Sequence, residues 1–195
     1  MTDKPYHHGD LRHALLLAGE AVLAERGVEG FSLRQVARRA GVSHAAPAHH
    51  FGDSRGLLTA LAAEGFRQFL ATQTVREASA APDGRSQVLA AGLGYIDFAL
   101  SRPALFRLLF GSNHPNYADP DLQAAADAAY QHLTEQVAAA GGQGLADVAA
   151  LWSAAHGLAD LLTAGRMKAV EMLDPETRDA MLLAVLHRAL PISRT

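Results

Sequence analysis

Residues 31–51 read FSLRQVARRAGVSHAAPAHHF, and this stretch decides the fold. Ser32 precedes Leu33, and Gln35 stands three residues after Ser32. That is the spacing of a capping box, in which the serine hydroxyl satisfies a backbone N–H at a helix start. The pattern predicts a helix from about Leu33 to Ala40. Gly41 can take the positive φ that ends it, and Ser43 is placed to cap the next helix, about His44 to His50. Pro47 falls late in that short helix, which predicts a bend or some 3₁₀ character. Val36, Ala37, Ala40, Val42 and Phe51 are spaced to pack on a preceding helix, which describes a helix-turn-helix. An ordinary three-helix corner of an α-bundle fits the same pattern.

Upstream, Leu11, Leu15, Ala18, Val22 and Leu23 form a helical stripe from Asp10 to Arg26, and Gly27 stops it. Downstream, Gly52 and Asp53 break and cap a long fourth helix from Ser54 to about Ala78. After an AAPDG linker, helices are expected over about Ser86 to Ser101 and Pro103 to Phe110, with Pro103 tolerated in a first turn. Residues 111–119, GSNHPNYAD, read as the clearest loop of the chain. Asp119-Pro120 caps a helix to about Ala140, and GGQG at 141–144 ends it. Two more follow, Leu145 to about Ala164 and, after Asp174-Pro175, Glu176 to Leu190.

The 195 residues are 49% hydrophobic and 6% aromatic, with Ala and Leu dominant, which favours helix because these side chains lose little rotamer freedom there. The expected fold is all-α with about nine helices. A three-helix head is joined by the long fourth helix to a helical body. Cysteine is absent, which excludes disulfides, thiolate metal sites and a catalytic thiol. No signal-peptide pattern and no uninterrupted apolar run of about 18 residues is read, so the expected location is cytoplasmic. The net charge of −3 divides unevenly: residues 1–56 carry seven Lys/Arg against six acids and six of the ten histidines, and the remainder is at −4. A weakly basic, histidine-rich head on an acidic body fits nucleic-acid binding at one end.

The ordered set GxxxxSLRQVARRAGVSxxxPxxHFxxxxxLLxAL, here Gly27 through Leu61, resembles the N-terminal signature of the tetracycline-repressor (TetR) family of transcriptional regulators. The resemblance implies a DNA-binding head over 1–56, with the helix-turn-helix at about 33–52, and a ligand-sensing and dimerising body over 57–195. It implies a homodimer, a double-stranded operator, a small-molecule effector, and repression as the default regulatory sign. A regulator that needs its ligand to bind DNA is the alternative. The string Trp152-x-x-x-His156-Gly157 also resembles a C-terminal domain type named for Trp-His-Gly. The chain departs at Ala48, where many relatives carry tyrosine, and at Ser54, where many carry lysine. Arg55 is placed to supply the missing charge.

The physical reading of the head agrees with that role. The N-terminus of the second helix, at Ser32, can receive a phosphate, and Arg34 in its first turn can reach a phosphate or a guanine edge. Ser43, His44, Ala45, Ala46, Ala48, His49 and His50 on the third helix are small or able to hydrogen-bond, which suits a major groove; Ser54 and Arg55 complete the surface. Adjacent histidines on a helix point about 100° apart, so His49 and His50 are not expected to hold a metal, and no cofactor is expected.

In the body, the helix ALWSAAHGLADLL is apolar nearly all round, which predicts burial on more than one side. Leu151, Ala155, Leu158 and Leu162, with Ala180, Leu183, Ala184 and His187 on the last helix, are expected to form a two-fold four-helix interface. An apolar pocket with a few polar groups would draw on Phe66, Phe69, Tyr95, Phe98, Phe106, Leu109, Phe110, Trp152 and His156, each of which could equally be plain core. His114, His156 and Asp160 do not fall at spacings that build a nucleophile, base and orienting group, so catalysis is not expected. A protein-interaction module that uses the helix-turn-helix shape without DNA is the rival of a different class.

Overall fold

A computed structural model describes residues 8–190. Among them are ten helices: α1 His8–Arg26, α2 Leu33–Ala40, α3 Ala45–Phe51, α4 Ser54–Glu77, α5 Gly84–Ser101, α6 Pro103–Phe110, α7 Pro120–Ala139, α8 Leu145–Thr163, α9 Lys168–Glu171 and α10 Pro175–Arg188. The fold is all-α, as expected, and the one-turn α9 is an addition to the nine helices read from the sequence. The chain forms two compact units. Among the described residues, one comprises 8–65 together with Ala104–Ala125; the other comprises Phe66–Pro103 with 126–190.

In the first unit, α1 packs on α2 and α2 on α3. Leu15, Leu23, Val36, Ala37, Leu57 and Leu61 are almost wholly buried. Each comes from the apolar face of its helix, so burial of that stripe holds the three-helix head together. Ala40, Val42 and Phe51 are only half-buried. Phe51 meets α1 through Arg12, whose guanidinium lies 5.5 Å from the centre of its ring. The turn after α2 is a Schellman motif. Gly41 sits at φ 68°, its N–H donates to the Arg38 carbonyl at 3.3 Å, and the Val42 N–H donates to Ala37 at 3.1 Å.

The start of α3 corrects two expectations. His44, not Ser43, precedes the helix, and it makes no side-chain capping bond; Ser43 contributes its carbonyl, which accepts from Ala46 N–H at 3.1 Å. The helix thus begins one residue later than the sequence suggested. Pro47 is therefore in the first turn, where a missing N–H loses no intrahelical bond, and α3 runs as α-helix through it without a 3₁₀ break.

In the second unit α5 packs along α8, and α10 crosses both. Ten residues of α5 are buried, among them Tyr95, Ile96, Phe98 and Ala99. A Cβ at Gly94 would stand 2.5 Å from Gln73 Cα and 2.9 Å from the Thr72 carbonyl oxygen, so glycine is what lets α5 approach this part of α4. The same helices are tied by charge. Arg76 Nε donates to Asp97 at 2.5 Å and its Nη1 to Asp179 at 2.7 Å. These bonds, that to Asp97 foremost, hold the guanidinium above its ordinary range. Beside them His132 Nε2 lies 2.6 Å from Glu77 Oε1.

The start of α5 is earlier than expected because Asp83 caps it, accepting from Ser86 N–H at 3.0 Å. Asp174 does the same for α10 through Thr177 N–H, and both carboxyls are held below the usual carboxylate range by these capping bonds.

By length and composition α8 would pass for a membrane span, although no unbroken apolar run was read there. One face of it packs into this chain, with Leu151, Ala155, Leu158, Ala159 and Leu162 buried in its own protomer. This corrects the expectation that Leu151, Ala155, Leu158 and Leu162 face a partner, since they are already covered by this chain.

Candidate functional site

The capping box at Ser32 forms in a variant way. The hydroxyl accepts from Gln35 N–H at 3.4 Å and donates to Gln35 Oε1 at 3.0 Å, so the glutamine side chain returns to the serine side chain and not to its backbone. The first N–H groups of α2 still point out of the helix with no intrahelical acceptor, which is the local chemistry of an anion site. Arg34 is exposed in that turn.

The other predicted residues of the head lie at and along α3 and at the start of α4. Ser43, His44, Ala45, Ala48, His49 and Arg55 are exposed; Ala46, His50 and Ser54 are half-buried. Pro47 is the buried residue of α3, which turns the small and hydrogen-bonding side chains outward. The His49 and His50 rings stand at 82° to one another with centroids 5.5 Å apart, and His50 leans on Phe51. Arg39 Nη1 pairs with Glu25 of α1 at 2.5 Å. Both partners are about half exposed, so the pair adds little stability. Its effect is to pair one surface cation with an acid, while Arg34 and Arg38 are exposed beside it in sequence.

The nine ligand candidates divide between the two units. Phe106, Leu109 and Phe110 belong to the first unit, where the Phe106 and Phe110 rings lie 5.3 Å apart. Phe66, Phe69, Tyr95, Phe98, Trp152 and His156 belong to the second. There Phe69 meets Tyr95 at 4.9 Å and Phe98 at 5.4 Å, both edge to face, a favoured geometry for aromatic rings. Tyr95 carries the polar end of this cluster. Its hydroxyl lies 2.7 Å from His156 Nδ1, burial pushes the phenol well above its ordinary range, and a hydrogen bond with Trp152 opposes that shift. The phenol therefore stays protonated. It can donate to Nδ1 when the imidazole is the neutral tautomer with its proton on Nε2. Trp152 is 39% exposed, and Tyr130 of α7, which sequence reasoning did not select, faces it at 6.2 Å.

Of the residues expected at a dimer interface, Ala180, Ala184 and His187 are exposed on α10 and Leu183 is half-buried. On α8 the protomer leaves Ala146, Ala149, Ala150, Trp152, Ser153 and Leu161 exposed. This face lies opposite the four residues predicted from the sequence.

Comparison with known proteins matches two family descriptions. Residues 15–61 match the bacterial regulatory proteins of the tetR family, and residues 88–187 match the tetracyclin repressor-like C-terminal domain. The second match contains Trp152, His156 and Gly157. A protein of unknown function from Rhodococcus sp. RHA1 shares 34% identity, with 96% of this chain and 99% of that one covered at a TM-score of 0.76. A TetR family transcription regulator from Marinobacter aquaeolei VT8 superposes with a TM-score of 0.70 at 21% identity, covering 93% and 96%. Over 98 residues the chain is 34% identical to the HTH-type transcriptional regulator BetI of Burkholderia ambifaria, a match over 49% of this chain that spans half the length of that relative.

Proposed function

Because the chain belongs to the TetR family of DNA-binding transcriptional regulators, we propose that its head, residues 1–56, reads a roughly palindromic operator as half of a homodimer and that its body, residues 57–195, releases it on binding a small, largely apolar effector. The observation that carries the reading is the outward face of α3, which packs on α2, and the open N-terminus of α2, with Arg34, His44, Ala45, Ala48 and His49 exposed on the three-helix support. Such a face fits a major groove, where an arginine can fork a guanine edge and alanine methyls can meet thymine methyls. Ser32, Ser43, Ser54 and Arg55 would fix the register on the phosphates.

Regulation is proposed to be repression. In the body, of the Trp-His-Gly type, Phe69, Tyr95, Phe98, Trp152 and His156 support an effector site in which Tyr95 and His156 are the hydrogen-bonding groups within an aromatic wall. An effector shifts operator affinity only if it prefers the conformation whose two heads no longer match the half-sites. The exposed face of α8, together with Ala180, Leu183, Ala184 and His187 of α10, supports a two-fold four-helix interface. Its apolar and small side chains can interdigitate across the axis.

Selection of bound fragments from the source genome, followed by titration of the recovered duplex, tests the reading. Arg34→Ala and His44→Ala are each expected to weaken specific binding by about 1–3 kcal/mol, or roughly 5- to 150-fold, while changing non-specific binding much less. If both variants hold the operator as tightly as the parent, the reading surface lies elsewhere. If no fragment is retained, the DNA-binding reading itself fails.

A further inference from the structure

The loop 111–119 between α6 and α7 is tied to the first turns of α4. Arg55 Nε donates to the His114 carbonyl at 3.2 Å. Four residues on, Thr59 Oγ1 accepts from Asn116 N–H at 2.9 Å and sends its own proton to the Arg55 carbonyl at 2.8 Å. Thr59 is 5% exposed, and Pro115, between the two tied residues, is buried. The loop is braced on its other side: Ser112 Oγ accepts from His114 N–H at 3.2 Å, His114 Nε2 stands 3.9 Å from Glu29, and Tyr117 donates to the Leu109 carbonyl at 2.7 Å. All these residues belong to the same compact unit.

We propose that this loop is a positioning strap for the head: the His114 carbonyl holds Arg55 in place to grip a DNA phosphate, and the Thr59–Asn116 bond holds His114. The inference rests on the reading of the head as a DNA-binding surface. Among the described residues, the hydrogen bond of Arg55 uses Nε alone, so the two Nη groups stay open to solvent, and an exposed guanidinium presented end-on can fork two phosphate oxygens. A long side chain that must be ordered on binding loses rotamer freedom at that moment. Fixing Nε in the free protein moves that loss out of the binding step. Arg55 then supplies the charge that many relatives carry on lysine where this chain has Ser54. It is positioned by a backbone carbonyl 59 residues away.

The contact is to phosphate and not to a base, so a mixed-sequence duplex of about 30 base pairs is a sufficient probe, with binding titrated by fluorescence anisotropy at several salt concentrations. Arg55→Ala is expected to reduce the slope of log K against log salt by about 0.9, so that about 3.5-fold less affinity is lost between about 50 and 200 mM salt. Thr59→Val, which keeps the shape and deletes the hydroxyl, is expected to reproduce most of that fall. Thr59→Ser, which keeps the hydroxyl, is expected to hold the parental slope. The double variant Arg55→Ala/Thr59→Val should fall no further than Arg55→Ala, because both changes remove one contact.

A parental slope and affinity in Thr59→Val, or the same extra loss in the Arg55→Ala background, overturns the strap and leaves the phosphate contact standing. A parental slope in Arg55→Ala overturns the phosphate contact and the strap with it. A parent chain with no salt-dependent binding overturns the DNA-binding reading itself. Circular dichroism checks each variant. If Thr59→Val loses helicity, Pro115→Gly frees the loop without touching α4 and is read by the same slopes.

Discussion

Aspartate in place of Leu158 is expected to destabilise the C-terminal unit strongly, not to split a dimer into folded monomers. Leu158 is 6% exposed and lies on the face of α8 that its own protomer covers, with Leu151, Ala155, Ala159 and Leu162. The change removes a core leucine, typically worth about 2–5 kcal/mol, and leaves a carboxylate without a partner in an apolar setting. About 3–5 kcal/mol or more is a large share of the roughly 5–15 kcal/mol that holds a typical domain together. For a chain of this length that corresponds to a fall in melting temperature on the order of 10 °C or more. Thermal melting followed by circular dichroism reads it directly. A folded monomer with a parental melting curve would show that Leu158 is not a core residue and would return it to the interface.

That result bears on what the sequence could tell. Local signals were legible because their physics is local. Ser32 with Gln35, Gly41, Asp53, the Asp119-Pro120 pair and the Asp174-Pro175 pair each mark a boundary through a bond made within four residues. The start of α3 lies one residue later than expected: Ser43, a favoured capping residue, contributes its carbonyl to the first turn and no side-chain cap forms. The faces of α8 could not be told apart, since apolar residues occur nearly all round it and a periodicity that fills the circle has no direction. The structure turns Leu151, Ala155, Leu158 and Leu162 inward and leaves Trp152 and Leu161 at 39% exposed.

Long-range ties were out of reach for a related reason. Nothing in GSNHPNYAD signals that its backbone meets residues 57 and 59 positions earlier, and a loop rich in Asn, Pro and Gly reads as mobile surface by composition alone. The Tyr95–His156 bond is similar. The sequence offered both residues as members of a loose set of nine, and only the crossing of α5 and α8 joins these two. Phe106, Leu109 and Phe110 looked equivalent to them in sequence and belong to the other unit.

Leucine in place of the adjacent Gly157 is expected to give the opposite outcome, a folded monomer. Gly157 lies near the middle of α8, where glycine costs about 0.5–1 kcal/mol relative to alanine. Nothing in the protomer asks for it, since a Cβ built there meets no atom within 4 Å. On the helix surface its neighbours three and four residues away are Ala154, Ser153, Asp160 and Leu161, and of these Ser153, Asp160 and Leu161 are exposed. A glycine that leaves space on the outer face of a helix is accounted for if a second helix comes close there, and the proposed two-fold interface supplies one. The leucine side chain should therefore raise the helical preference of the protomer and block the approach of its partner. Sedimentation is expected to show monomer at concentrations where the parent is dimeric, with far-ultraviolet dichroism undiminished. Operator affinity should fall roughly 10²–10⁴-fold, because two linked heads gain that much from binding as one body. A persistent dimer would move the interface off this face of α8. A monomer that keeps full operator affinity would sever dimerisation from DNA recognition.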